Sequence, residues 1–196
     1  MEAISLFVQP KPLLSKIIER AVAENNLKAQ PLTLNPGGYL FREGDDIRET
    51  FYLTRGLVRL YSDTSDGYTK TVFFHKAGTL IGFQGFRPEL DRKPSILNAK
   101  ATTKVEAFAI GAEHFGSYLK THGDACYFMA QYLFEMLAMQ TREAVNASIY
   151  PVLQRFSALL LTLAREFNSA QAPAIIPFGN EELAEMLGVH VNSITN

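Results

Sequence analysis

Four histidines and one cysteine are the side chains best suited to ligating a metal or attacking a substrate, and their spacing supports neither. Cys126 stands alone, so no internal disulfide and no cluster held only by this chain's thiolates can form. His75, His114, His122 and His190 show no metal-ligand spacing, and no nucleophile–base pair or phosphate loop is recognisable. An enzyme is not expected. The informative pattern is the last segment, NEELAEMLGVHVNSITN, from Asn180 to Asn196. Asn180 is placed to cap a helix whose inner face is Leu183, Ala184 and Leu187. Gly188 permits a tight turn, Val189 plugs between two helices, and His190 opens the second. Two short helices set steeply by one Gly turn are what a major groove needs from a recognition helix.

The elements ahead of that segment fall into three zones. Residues 11–24 put Leu13, Leu14, Ile17, Ile18 and Ala21 at amphipathic-helix spacing, with Pro12 in the first turn. From Leu32 to Ile110 the chain reads as short strands, LTL, YLF, FYL, LVRLY, KTVFFH, TLIGF and VEAFAI. They are separated by turn signals, of which Asp66-Gly67 is the strongest hairpin. That rhythm predicts an antiparallel sandwich, roll or barrel. After Gly111 the pattern turns helical. Asp124 is a candidate N-cap for a helix to about Ser148. Met129, Leu133, Met136, Gln140, Ala144 and Ala147 form a seam on it suited to a partner helix. Pro151 starts another helix, and a loop with Pro173 and Pro177 follows.

Composition sets the outer bounds. The 196 residues are 47% hydrophobic and 20% charged, enough for a core without metals or disulfides. Nineteen basic against 20 acidic residues leave a net charge of −1, so no whole-chain field draws in nucleic acid or acidic membranes. The greasy stretches near 126–139 and 156–164 are interrupted by polar residues, and residues 1–12 have no signal-peptide form. A cytoplasmic protein with no membrane partner is expected.

From Gly38 to Gly82 the chain reads GYLFREGD, then FYLTRGLVRLY, then Asp-Gly, then FHKAGTLIG. With the long helix, the Pro-started helix and LAEMLGV following in that order, the chain resembles the Crp/Fnr family of bacterial transcription regulators over essentially its whole length. The resemblance implies an α+β fold in three parts. Residues 1–122 are an N-terminal antiparallel β-roll or jelly roll of the cyclic-nucleotide-binding type, including the N-terminal helix. Residues 123–149 are a long central dimerisation helix, and residues 150–196 a partial winged helix-turn-helix. It also implies a homodimer reading a palindromic DNA operator under control of a small-molecule effector.

The sequence departs from the family where the effector is chosen. Cyclic-nucleotide-binding members carry Glu after the Gly82 position and Arg-Ser or Arg-Thr further on for the cyclic phosphate. Here Phe83 and Gln84 follow Gly82, and the Arg and Ser positions fall on Ser95 and Ile96 in a longer loop. Arg92 or Lys93 can reach the phosphate position only by a local shift, with Pro94 beside it. Cyclic AMP or GMP is therefore not the expected effector. Phe83, Phe86, Ile96 and Leu97 offer an apolar wall, and Arg92, Lys93 and Ser95 a set for an anionic or phenolic head group. Gln140 and Thr141 match family positions that contact effector. No resident cofactor is expected. One cysteine excludes iron–sulfur sensing of the Fnr type. Haem stays open, with His75, His114 and His122 as candidate axial ligands, although His75 reads as a half-exposed strand residue. A roll packed by its own side chains, needing no effector, also stays open.

Base reading departs too. The family's Ser-Arg-Glu-Thr start is replaced by His190-Val191-Asn192-Ser193-Ile194-Thr195-Asn196. Val191 suits a thymine methyl, Asn192 or Asn196 a bidentate pair with adenine, and Ser193 a phosphate. The implied operator is rich in A·T. Residues 151–196 hold two arginines against four glutamates, and no wing follows, so the helix-turn-helix reads as C-terminally incomplete. Two rival classes stand: a ligand-binding or interaction module with no DNA role, and a haem-based gas sensor.

Overall fold

The computed structural model describes residues 4–83, 94–167 and 176–195. The chain runs β1 (Phe7–Val8), α1 (Pro12–Ala23), β2 (Ala29–Leu34), β3 (Tyr39–Phe41), β4 (Glu49–Arg55), β5 (Leu57–Asp63), β6 (Thr69–Lys76), β7 (Leu80–Ile81), β8 (Asn98–Ala101) and β9 (Val105–Gly111). Then follow α2 (Ala112–Thr121), α3 (Gly123–Ile149), α4 (Val152–Phe167), α5 (Asn180–Leu187) and α6 (Asn192–Thr195). The fold class is α+β, as expected. The chain divides into a roll unit, Phe7–Ser62 with Phe73–Met136, and a C-terminal unit of residues 4–6, Asp63–Val72 and the chain from Leu137 onward.

Two sheets make the roll, in the orders β1-β6-β5-β8-β3 and β2-β9-β4-β7. Among the registered pairs all are antiparallel except β1 with β6, where Phe7 lies beside Phe74 and Val8 beside His75. In β5 the alternation is the one a half-buried strand needs: Val58 and Leu60 are buried while Arg59 between them is half-buried. β4 breaks it, with Thr50, Phe51, Tyr52 and Leu53 all buried. Both faces of that strand are therefore covered, and the Tyr52 hydroxyl reaches through to donate to Glu19 of α1 at 2.6 Å. The Asp66-Gly67 hairpin forms as predicted, with Gly67 at φ 82° and its N–H on the Thr64 carbonyl at 3.0 Å.

α1 buries Leu14, Ile18 and Ala21, with Pro12 at its start, close to the predicted range. α3 is 27 residues long, about 40 Å. Of the seam expected to face a partner helix, Met129 is buried and Met136 and Gln140 half-buried, while Leu133, Ala144 and Ala147 are exposed. A further exposed line runs through Phe134 at 69%, Leu137 at 65%, Thr141, Val145 and Ile149. No helix among the described residues is long and apolar enough to cross a membrane.

The helix-turn-helix forms with two local corrections. α5 is capped at Gly179 rather than Asn180, because the Glu182 carboxylate accepts the Gly179 N–H at 3.0 Å. The second helix starts at Asn192. His190 precedes it, its Nδ1 accepting the Asn192 N–H at 3.1 Å, which makes it a cap and not the opening residue.

Candidate functional sites in the roll and the helix-turn-helix

In the roll unit the site grows from the turn after β7. Gly82 sits at φ 92°, and a Cβ there would lie 2.6 Å from the Glu49 carbonyl oxygen, so only glycine fits. Phe83 follows, half-buried, its ring edge-on to Tyr132 of α3 at 6.0 Å between centroids. Tyr132 is 2% exposed, and its hydroxyl donates to the Leu80 carbonyl at 3.0 Å and accepts the Leu80 N–H at 3.2 Å. A helix side chain thereby completes the backbone bonding of β7.

His75 lies against this node, fully buried and not half-exposed as the strand pattern implied. Phe73, Phe74 and His75 are all enclosed because β1 covers the edge of β6 and Phe7 stacks on Phe74 at 5.1 Å. Nδ1 is 3.3 Å from Thr79 Oγ1 and 3.4 Å from the Tyr132 hydroxyl. Thr79 donates to the Lys76 carbonyl at 2.6 Å and Tyr132 to Leu80, so both hydroxyl protons are committed elsewhere. Nδ1 therefore carries the ring proton, and Nε2 is a bare lone pair without a partner among the described residues. Burial pushes the imidazole down to about 3, so it is neutral at physiological pH.

Ser95 is brought to the roll but its polar atoms are already occupied. Its hydroxyl donates to the Leu97 carbonyl at 2.7 Å, and its backbone bonds Asp45 and Gly44 at 2.8 Å each. Ile96, expected in an apolar wall, is 72% exposed, while Leu97 is half-buried. Gln84, Phe86, Arg92 and Lys93 lie outside the described residues. The other histidines bond within the protein: His114 Nε2 accepts the Lys28 N–H at 3.1 Å, and His122 stacks on Tyr118 at 3.9 Å. Among the described residues no group of three His, Cys, Asp or Glu is placed to hold a metal.

In the C-terminal unit, Gln140 donates to the Val72 carbonyl at 3.3 Å, and Thr141 is exposed with its hydroxyl on the Leu137 carbonyl at 2.9 Å. The helix-turn-helix buries Leu183, Ala184, Met186 and Leu187, and Gly188 takes the left-handed conformation at φ 66°. Asn192 and Ser193 are exposed, Val191 is half-buried, and the exposed His190 ring is 6.1 Å from Tyr68. Asn196 lies outside the described residues.

Three charged residues that no motif singles out meet beneath this turn. Glu143 of α3 is bonded by Lys70 at 3.2 Å and by Arg155 of α4 at 3.4 Å. Beside them opens a cavity of about 720 Å³, which Thr69, Gln140, Gly188 and His190 help to line. The only trace of this cluster in the sequence is that Glu143 falls on the inward side of α3.

Residues 31–122 match the cyclic nucleotide-binding domain family. Cyclic nucleotide-gated ion channels of Arabidopsis thaliana are 29–34% identical over 54–76% of this chain, which spans only 15–21% of their length. The fumarate and nitrate reduction regulatory protein of Vibrio cholerae is 32% identical over 72 residues, 37% of this chain and 28% of that protein. Among solved structures, the c-di-GMP responsive global regulator CLP of Xanthomonas campestris superposes with a TM-score of 0.78 at 20% identity, covering 91% of this chain and 86% of that one. A Crp/Fnr-family transcriptional regulator of Thermus thermophilus gives 0.69 at 20% identity, covering 85% and 82%. Roll, central helix and helix-turn-helix thus follow one another as in those regulators: the chain shares their fold, and its residues 31–122 match the cyclic nucleotide-binding domain family.

Proposed function

We propose that this chain is an effector-responsive, DNA-binding transcription regulator of the Crp/Fnr type, working as a cytoplasmic homodimer and sensing a small molecule other than cyclic AMP. The observation that carries the reading is one chain holding a roll, a 27-residue helix with an exposed apolar seam, and a helix-turn-helix with its glycine turn. The exposed apolar side chains Phe134, Leu137, Val145 and Ile149 on one side of α3 are what a second copy of the helix would cover. Regulators among the structural neighbours support the same role.

Against a cyclic nucleotide speaks the chemistry after Gly82. Phe83 packs on Tyr132, and Ser95 keeps its hydroxyl on Leu97, so neither supplies the charged group a ribose phosphate wants. The effector set we propose is Phe83, Gln84, Arg92 and Lys93 of the roll, suited to an aromatic acid or phenol. His75 is neutral and sealed, which favours an organic effector over haem. DNA contacts fall to His190, Val191, Asn192, Ser193 and Asn196. Effector binding shifts the population between two arrangements and must favour one by differential affinity.

Native mass spectrometry of protein purified from its own cells, compared with the denatured sample, tests this. The expected species is a dimer carrying a defined small mass. A monomer contradicts the proposal, as does the mass of haem or a cyclic nucleotide.

A further inference from the structure

We propose that Glu143 of the central helix is the positioning residue that docks the helix-turn-helix, acting through two cations on the C-terminal end of α5. The last carbonyls of a helix lack intrahelical partners and form the negative end of its dipole, so cations settle there. At α5 two do. Lys70 Nζ donates to the Met186 carbonyl at 2.7 Å, and Arg155 Nη2 donates to the Leu187 carbonyl at 2.7 Å.

Both cations also share one oxygen of Glu143, at 3.2 and 3.4 Å. Glu143 is 9% exposed and Arg155 6%, so water screens little of their interaction. Without the carboxylate, two positive groups would face one another beside the same helix end. Burial also lowers the affinity of Lys70 for its proton, which the Glu143 charge opposes. The turn glycine completes the seat, since a Cβ at Gly188 would lie 2.8 Å from the Lys70 side chain.

The arrangement is incompletely satisfied. Glu143 Oε2, Arg155 Nε and Asn146 Nδ2 are buried without partners among the described residues. A half-satisfied buried network holds only while its remaining bonds stay in register. A shift of Glu143 away from Lys70 and Arg155 leaves two uncompensated cations beside the end of α5, and their repulsion weakens the hold on that end and on residues 189–195. What that loosening serves rests on the regulator reading above; the clamp itself does not.

Hydrogen exchange on the intact chain, read by mass spectrometry, separates the two questions because it needs no DNA. In Glu143→Gln, amides of residues 183–195 should exchange about tenfold faster or more, with β4 and β9 at parent rates. Lys70→Met, on a half-exposed hairpin, should speed the same residues by less. The double variant should exceed Glu143→Gln in neither extent nor region, and Glu143→Asp should restore protection. Parent rates at 183–195 in both single variants would overturn the clamp. So would acceleration spread equally over the roll, or additive effects in the double variant. Failure of every variant and parent to bind DNA would sink the regulator reading and leave the clamp standing.

Discussion

His75 shows how far one side chain's neighbours decide its chemistry. Its tautomer follows from two hydroxyls whose protons point elsewhere, and its neutrality from complete burial. Free histidine titrates near 6.5. In the folded chain it titrates near 3, so between those values the unfolded chain takes up a proton that the folded one refuses. Stability should therefore fall as pH drops from about 6.5 toward 3, by up to about 1.4 kcal/mol per pH unit from this residue. Urea unfolding at pH 4, 5, 6 and 7 checks it: His75→Gln should show a shallower dependence than the parent, and parallel curves would refute it. The strand KTVFFH was legible, but not the two-residue β1 that closes over its end, because a segment so short carries no period.

The same distinction between local pattern and tertiary partner governs the elements. α1, the Asp66-Gly67 hairpin, α4 after Pro151 and the α5 turn were readable because each carries its own caps, turn residues or apolar stripe. α3 was readable as a helix but not as to which side faces in. The seam read from sequence is split, with Met129, Met136 and Gln140 turned in and Leu133, Ala144 and Ala147 exposed, beside a second exposed line through Leu137. Leu137 is 65% exposed, so Leu137→Glu should leave the roll folded yet place a carboxylate at the centre of the helix pair. The proposed pairing has sedimentation velocity find the parent a dimer and this variant a monomer, with unchanged circular dichroism. A Leu137→Glu dimer would rule this line out as the contact.

Taken as one protein, the order of roll, central helix and helix-turn-helix was plain from motifs spread along the chain, while the sites were not. Ser95, for instance, has a hydroxyl that looks available in the sequence and is closed onto Leu97 in the fold. Likewise His190 looked like the first residue of a reading helix and instead caps it. The clamp of Lys70, Glu143 and Arg155 joins positions 73 and 12 residues apart, which no local pattern reveals. Whether this fold reads DNA as a symmetric dimer is decided by selecting duplexes from a random pool with the intact chain at low salt. The expected product is a palindrome rich in A·T with half-sites about one helical turn apart, about 34–36 Å. A pool returned unenriched by a folded dimer would contradict the regulator reading.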